Sequence, residues 1–203
     1  MNLRDTYNKI AADWHKEHQG DDWWIEGTDK FISFLKPGNL VLDVGCGGGT
    51  KSKYLIERGL KVVGLDFSDR LIRIARREVP QAEFRVMDMY DAGNLDQEFE
   101  GIFAQASLLH IPKKDMPNVL HTLVSKLKHN GLLYVVVKGV RPGKPEEETK
   151  EEHNYGYPYQ RFFSYYSMDE LVHYFGSLGL AVVYRDIKAT GKLEWLQVIG
   201  EKG

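Results

Sequence analysis

Cysteine is nearly missing from this sequence: Cys46 stands alone among 203 residues. No disulfide can close within the chain, and a structural zinc site built on several thiolates is excluded, because either needs more than one sulfur. Long apolar runs are missing too, and none approaches the roughly 20 residues that a membrane-spanning helix requires. The opening Met1-Asn2-Leu3-Arg4-Asp5 has no apolar stretch of the kind that marks a secretory signal. Nor is there a surplus of positive charge, since 27 Lys and Arg face 29 Asp and Glu for a formal net charge of -2. That balance argues against a dedicated nucleic-acid binder, which needs a basic excess to meet phosphates. The expectation is a cytoplasmic protein of one domain, with neither a membrane nor a nucleic acid as partner.

What is present is alternation. Residues 2–17 suit a helix, with Tyr7, Ile10, Ala11 and Trp14 on one face, and residues 23–35 a shorter one that stops before Pro37-Gly38. Residues 40–44 have the character of a buried strand, followed by glycines and a helix over 51–58. Residues 61–66, 83–86, 99–105 and 132–137 give further strands. Ser68 caps one intervening helix, and another covers 115–128, with Gly131 as its stop. Strands alternating with helices imply a mostly parallel sheet covered on both faces. Near the end, Ser167-Met168-Asp169-Glu170 is a capping box opening a helix that stops at Gly179. Two strands follow, near 180–187 and 193–200, joined by Ala189-Thr190-Gly191-Lys192. So short a link cannot be a parallel crossover, so they pair antiparallel.

The chemistry points to the first strand's end. Gly45, Gly47, Gly48 and Gly49 crowd the link to the next helix, where glycine lets the backbone turn sharply and approach a ligand. Asp66 ends the second strand, where nucleotide-binding βαβ units keep the acid that accepts from ribose hydroxyls. A dinucleotide fingerprint would need glycine where Thr50 stands. Asp43, just before the loop, would repel a pyrophosphate and favour a cationic amine or sulfonium. No phosphate-binding G-x-x-x-x-G-K-[ST] pattern occurs.

Val41-Leu42-Asp43-Val44-Gly45-Cys46-Gly47-Gly48-Gly49-Thr50 resembles the first motif of the class I S-adenosylmethionine-dependent methyltransferases. Val63-Gly64-Leu65-Asp66-Phe67-Ser68 resembles their second and Val86-Met87-Asp88-Met89 their third. Residues 99–110, which run through Gln105 and Ser107 to His110, resemble the fourth strand and its loop. The resemblance implies a doubly wound, Rossmann-like α/β fold: a seven-stranded, mostly parallel sheet with an antiparallel last strand, helices on both faces and an N-terminal helical cap. It implies S-adenosylmethionine as cofactor, with Asp66 on the ribose, Asp88 on the adenine amino group, Met89 flanking the ring, and Gln105 and Ser107 near the methionine part. Asp43, Gly45, Cys46, Gly47, Gly49 and Phe67 complete the implied cofactor set, and Tyr7 or Trp14 would close over it. No metal is implied.

Methyl transfer needs alignment and exclusion of water, and a general base only when the acceptor arrives protonated. His110, at the rim after the fourth strand, is the candidate base; a structural histidine is the alternative. The expected division is residues 1–36 as cap, 37–138 as cofactor-binding core, 139–166 as substrate lid, and 167–203 as the last helix and strand pair. Within the lid, Glu146 to Glu152 reads as a solvated charged run, or as an acidic fringe for a cationic substrate. The aromatics from Tyr155 to Tyr166 suit either a pocket wall or a strand over the sheet edge. A small-molecule acceptor leads, with protein or RNA behind it. The motifs that mark amino-methylating and carbon-5 DNA enzymes are missing from the fourth-strand loop. A nicotinamide-dependent oxidoreductase and a non-catalytic cofactor-binding module are the competing readings. The oligomeric state is left open.

Overall fold

The most apolar segment of the chain lies near the middle of the sheet. In the computed structural model, which describes residues 2–203, β5 (Leu127–Lys138) lies between β4 (Phe99–Gln105) and β9 (Leu193–Lys202). Covered on both faces, it carries an unbroken buried run from Leu132 to Val137. β1 (Leu40–Val44), β2 (Lys61–Asp66) and β3 (Glu83–Val86) lie on the other side, and β8 (Leu180–Thr190) forms the far edge, in the order β3-β2-β1-β4-β5-β9-β8. The first five strands pair parallel, while β9 runs antiparallel to both β5 and β8. This is the mostly parallel sheet that the alternation implied, and the doubly wound, seven-stranded one that the resemblance implied. Met1, first residue of the expected cap, lies outside the described residues.

Helices α1 (Leu3–His18), α2 (Ile25–Ile32), α3 (Thr50–Glu57), α4 (Asp69–Glu78), α5 (Met116–Ser125) and α6 (Met168–Ser177) surround the sheet. Side chains fix their ends: Asn2 caps α1, Ser68 caps α4, and the Ser167–Glu170 capping box opens α6. Under α2 the core is aromatic, with Phe31 stacked on Tyr134 at 5.6 Å and tilted against Phe103 at the same distance. Strand order reverses between β1 and β4, which opens a crevice at their C-terminal ends.

Two expectations are corrected and one is extended. The helix assigned to 115–128 ends at Ser125, and Leu127 pairs with Phe99 of β4. Gly131 therefore lies inside β5 rather than stopping a helix, and the reversal falls on Asn130, at φ 59°. The apolar period ran on to Leu127 because a buried strand residue is as apolar as a buried helix residue. The link between β8 and β9 shrinks to Gly191-Lys192, with Gly191 at φ 60°, because Ala189 and Thr190 pair with Glu194 and Leu193. The acidic run, exposed to half-buried as a solvated charged run should be, is also a strand. Glu147–Glu152 forms β6, paired antiparallel with the aromatic β7 (Tyr159–Ser164) in a separate two-stranded hairpin.

Candidate cofactor cleft and active site

The loop after β1 folds as it does because its backbone must bend where side chains do not fit. Gly45, at φ 71°, hydrogen-bonds through its N–H to Leu65 at 2.8 Å, and a Cβ there would lie 2.5 Å from that of Ser107. Gly47, at φ 55°, lies under the Trp14 ring and donates its N–H to Asp66 at 3.0 Å. Asp66 also accepts from the Ser68 N–H at 2.8 Å, so one carboxylate ties the loop to the start of α4. Asp43 is buried and accepts from the Ser52 hydroxyl at 2.6 Å. Burial pushes both carboxyls up to about 6, against these hydrogen bonds, which favour the charged forms. Asp43 and Asp88 raise Asp66 further by like-charge repulsion, and Lys51 lowers Asp43.

Above the loop lies a cleft of about 660 Å³. Tyr7, Trp14, Asp43, Gly45, Cys46, Gly47, Asp66, Phe67, Met89, Gln105, Ser107 and His110 all line it, so most residues singled out in the sequence come together there. Gly49 and Asp88 do not. Gly49 begins α3 and packs against Ala75 and Val79. Asp88 caps a short 3-10 turn, accepts from Tyr90 at 3.2 Å, and lines an adjoining hollow shared with Phe67, Met89 and His110. The cleft also recruits Lys51, Leu65, Leu71, Met87 and Ala106. Leu65 and Met87 were legible as immediate neighbours of motif residues. Ala106, between Gln105 and Ser107, was legible in the same way, though nothing in its type announces its strained φ of 56°.

Buried polar atoms without partners mark this cleft. Among the described residues, both amide atoms of Gln105 and the hydroxyl of Ser107 are buried and make no hydrogen bond. Native structures leave few such groups, so a cluster lining a cleft fits a polar ligand.

His110 is fully engaged. Its Nδ1 lies 2.7 Å from the Phe162 carbonyl, which can only accept, so Nδ1 carries the proton and Nε2 accepts from the Tyr7 hydroxyl at 2.7 Å. Burial drives the imidazole down to about 3, and the Arg161 and Lys138 cations push the same way. It is a neutral hydrogen-bond bridge at any physiological pH. Arg161 approaches the Tyr7 oxygen from the other side at 3.5 Å.

A family profile described as a methyltransferase domain matches residues 41–131. Phosphoethanolamine N-methyltransferase 1 of Zea mays is 34% identical over 147 residues, which is 70% of this chain and 28% of that protein. Ubiquinone biosynthesis O-methyltransferase of Xanthomonas campestris pv. campestris (strain B100) is 32% identical over 132 residues, 56% of this chain and 54% of that one. The chain carries a methyltransferase domain across residues 41–131 and is similar to S-adenosylmethionine-dependent methyltransferases. It spans less than two thirds of the length of these curated relatives. Two solved methyltransferase structures share its fold at 19% identity. One is the 1,6-didemethyltoxoflavin-N1-methyltransferase of Burkholderia thailandensis, with a TM-score of 0.78 over 98% of this chain and 87% of that one. The other is the magnesium protoporphyrin IX methyltransferase of Synechocystis PCC 6803 with bound S-adenosylmethionine, with a TM-score of 0.75 over 99% and 95%.

The cofactor of this methyltransferase family suits the cleft. S-adenosylmethionine carries an ammonium and a sulfonium, and two buried carboxyls line the cavity where such charge is favoured. Its amino acid end needs donors and acceptors, which Gln105 and Ser107 hold unspent.

Proposed function

We propose that the chain transfers a methyl group from S-adenosylmethionine to a small-molecule acceptor in the cytoplasm by direct displacement. The observation that carries this reading is the set of unpartnered polar atoms on Gln105 and Ser107, in one cleft with the buried Asp43 and Asp66. The bound cofactor supplies an electrophilic methyl group on sulfur, so no covalent bond to the protein is needed.

The residues then divide the work. Asp66 accepts from the ribose hydroxyls and Asp43 favours the cationic end. Gln105 and Ser107 hold the methionine part, while Gly45, Cys46 and Gly47 let backbone approach closely. Asp88, from the adjoining hollow, accepts from the adenine amino group, with Phe67 and Met89 beside the ring. Gly49 serves by fixing the start of α3. Trp14 and Tyr7 close over the site, and residues 139–166 join α1 in covering the acceptor side. His110 is a positioning residue that holds Tyr7. It takes no proton from the acceptor, since both ring nitrogens are occupied and its basicity is too low to help near neutral pH.

The relatives named above act on phosphoethanolamine and in ubiquinone biosynthesis, by their names, which supports a small-molecule acceptor here. Titration calorimetry with S-adenosylmethionine and S-adenosylhomocysteine tests the binding half. Labelled cofactor incubated with cell metabolites tests transfer, with a chain carrying Asp43→Ala and Asp66→Ala as control. Absence of heat with either cofactor sinks the reading.

A further inference from the structure

A second cavity, of about 890 Å³, shares Tyr7, Trp14, Lys51, Ala106 and His110 with the cofactor cleft. Its outer wall is flat and apolar: Trp23 stacks on Trp195 with ring centroids 4.3 Å apart, and Trp24 and Phe163 line the same space. Its charge is mostly positive. Lys51, Lys138 and Arg161 face it against the single acid Asp21.

The three cations are not equivalent. Lys51 lies in the field of Asp43 and Asp21. Arg161 is held at two points by Glu152, at 2.6 and 2.7 Å. Lys138, the last residue of β5, has no ion pair or hydrogen bond to its ammonium among the described residues. Its ammonium sits 4.1 Å from the Phe163 ring centroid and 5.5 Å from that of Trp195. Burial pulls it down to about 8, helped by the Arg161, Lys150 and Arg141 charges and opposed by that of Glu152, which is itself bound to Arg161. A half-buried cation among other cations lacks a counter-ion, and an anion from outside would relieve it.

The acidic run does not supply one. Glu146 pairs with Lys113, Glu147 accepts from the Lys113 N–H, Glu148 pairs with Arg141, and Glu152 is held by Arg161. With those carboxylates occupied, Asp21 is left as the one carboxylate lining the cavity.

We propose that this cavity is the acceptor site and that it selects a molecule joining a flat, aromatic body to an anionic oxygen group, a carboxylate or phosphate, bound at Lys138. The ring would lie along the Trp23–Trp195 wall, with its nucleophile toward the shared boundary at Tyr7 and Ala106. The proposal rests on the methyltransferase reading for the word acceptor. The anion preference stands on the cavity alone.

The test is a set of titrations, by calorimetry or tryptophan fluorescence, of the chain alone and loaded with S-adenosylhomocysteine. The probes are 4-hydroxybenzoate, phenyl phosphate, neutral 4-hydroxybenzamide and cationic 4-hydroxybenzylamine. At least one anion should bind about ten-fold or more tightly than the amide, the scale of a charge-assisted contact. The anion that binds more tightly distinguishes carboxylate from phosphate recognition. Lys138→Met should bring anion and amide to within about two-fold, and Lys138→Arg should keep the preference. No preference in the unaltered chain overturns the proposal, even if nothing binds; so does a preference that survives in Lys138→Met. Because the unaltered chain decides first, a poorly folded variant does not rescue the idea. Failure of S-adenosylhomocysteine to bind sinks the methyltransferase reading instead, while the titrations of the unloaded chain still decide the anion preference.

Discussion

At the scale of single residues, Asp43 and Asp66 determine how the site responds to pH. An unfolded aspartate releases its proton near 3.8, whereas burial holds both of these to about 6. Between those values the folded chain holds more protons than the unfolded one. Their contribution to stability is therefore fullest below about 4 and is lost as pH rises through 6. Cofactor binding runs the other way, because the ionised carboxylates meet the ligand. Affinity for S-adenosylmethionine should fall as pH drops below about 6, by up to about ten-fold per unit for each carboxylate involved. Asp43→Asn should flatten that slope and remove part of the free chain's extra stability at pH 5 relative to pH 7. Calorimetry and thermal melts at the two pH values check both signs.

His110 makes the contrasting case. Replacing it with Ala orphans the Phe162 carbonyl and the Tyr7 hydroxyl at once, and should cost about 1–3 kcal/mol in urea unfolding. If His110 were a general base, the rate at saturating cofactor would show a limb at its pKa between pH 5 and 8. A neutral bridge gives none, and a limb that disappears in His110→Ala would refute the positioning role.

At the scale of elements, the parallel strands and their glycine loop were legible because each is a local pattern. A buried parallel strand is a short apolar run, a cap is a serine, and the switch-point loop is glycine. β6 was illegible for the same reason. Glu147–Glu152 has no apolar face of its own, and is a strand through its pairing with β7, with Arg141 on Glu148 and Arg161 on Glu152. The site followed the same division. Motif residues were found, whereas Lys51 and Lys138 owe their roles to neighbours brought by the fold. Gly27 on α2 shows the cost of such encounters. A Cβ there would lie 1.8 Å from Gln197 Oε1 and 2.3 Å from the Tyr134 hydroxyl, which are hydrogen-bonded to each other in the core. Gly27→Ala should cost about 1–3 kcal/mol by overpacking, read as a lower urea midpoint with an unchanged slope.

At the scale of the whole molecule, the cleft is closed by two pieces far apart in sequence that hold each other. α1 lays Trp14 on Gly47 and His15 on Gly48, and its Asn8 accepts from the Ser68 hydroxyl at the head of α4. The hairpin side answers with Lys9 on the Pro158 carbonyl at 2.7 Å, Tyr157 on Asp13 at 2.6 Å, and Tyr155 on Glu17. These last contacts are exposed and individually weak. Buried contacts among Tyr7, Ile10, Leu71 and the hairpin's Tyr159 join α1, α4 and the hairpin. A ligand reaching the cleft must pass this cover, so loosening of α1 and the hairpin should precede the sheet in any opening. Bound S-adenosylhomocysteine would lie against Tyr7 and Trp14 and so tie the cover to the sheet. Hydrogen exchange should then slow on ligand binding in Leu3–His18 and Tyr159–Ser164, while β4 and β5, already protected, change little. Equal slowing across the sheet would mean that the chain opens only by global unfolding, and the cover would have no separate motion.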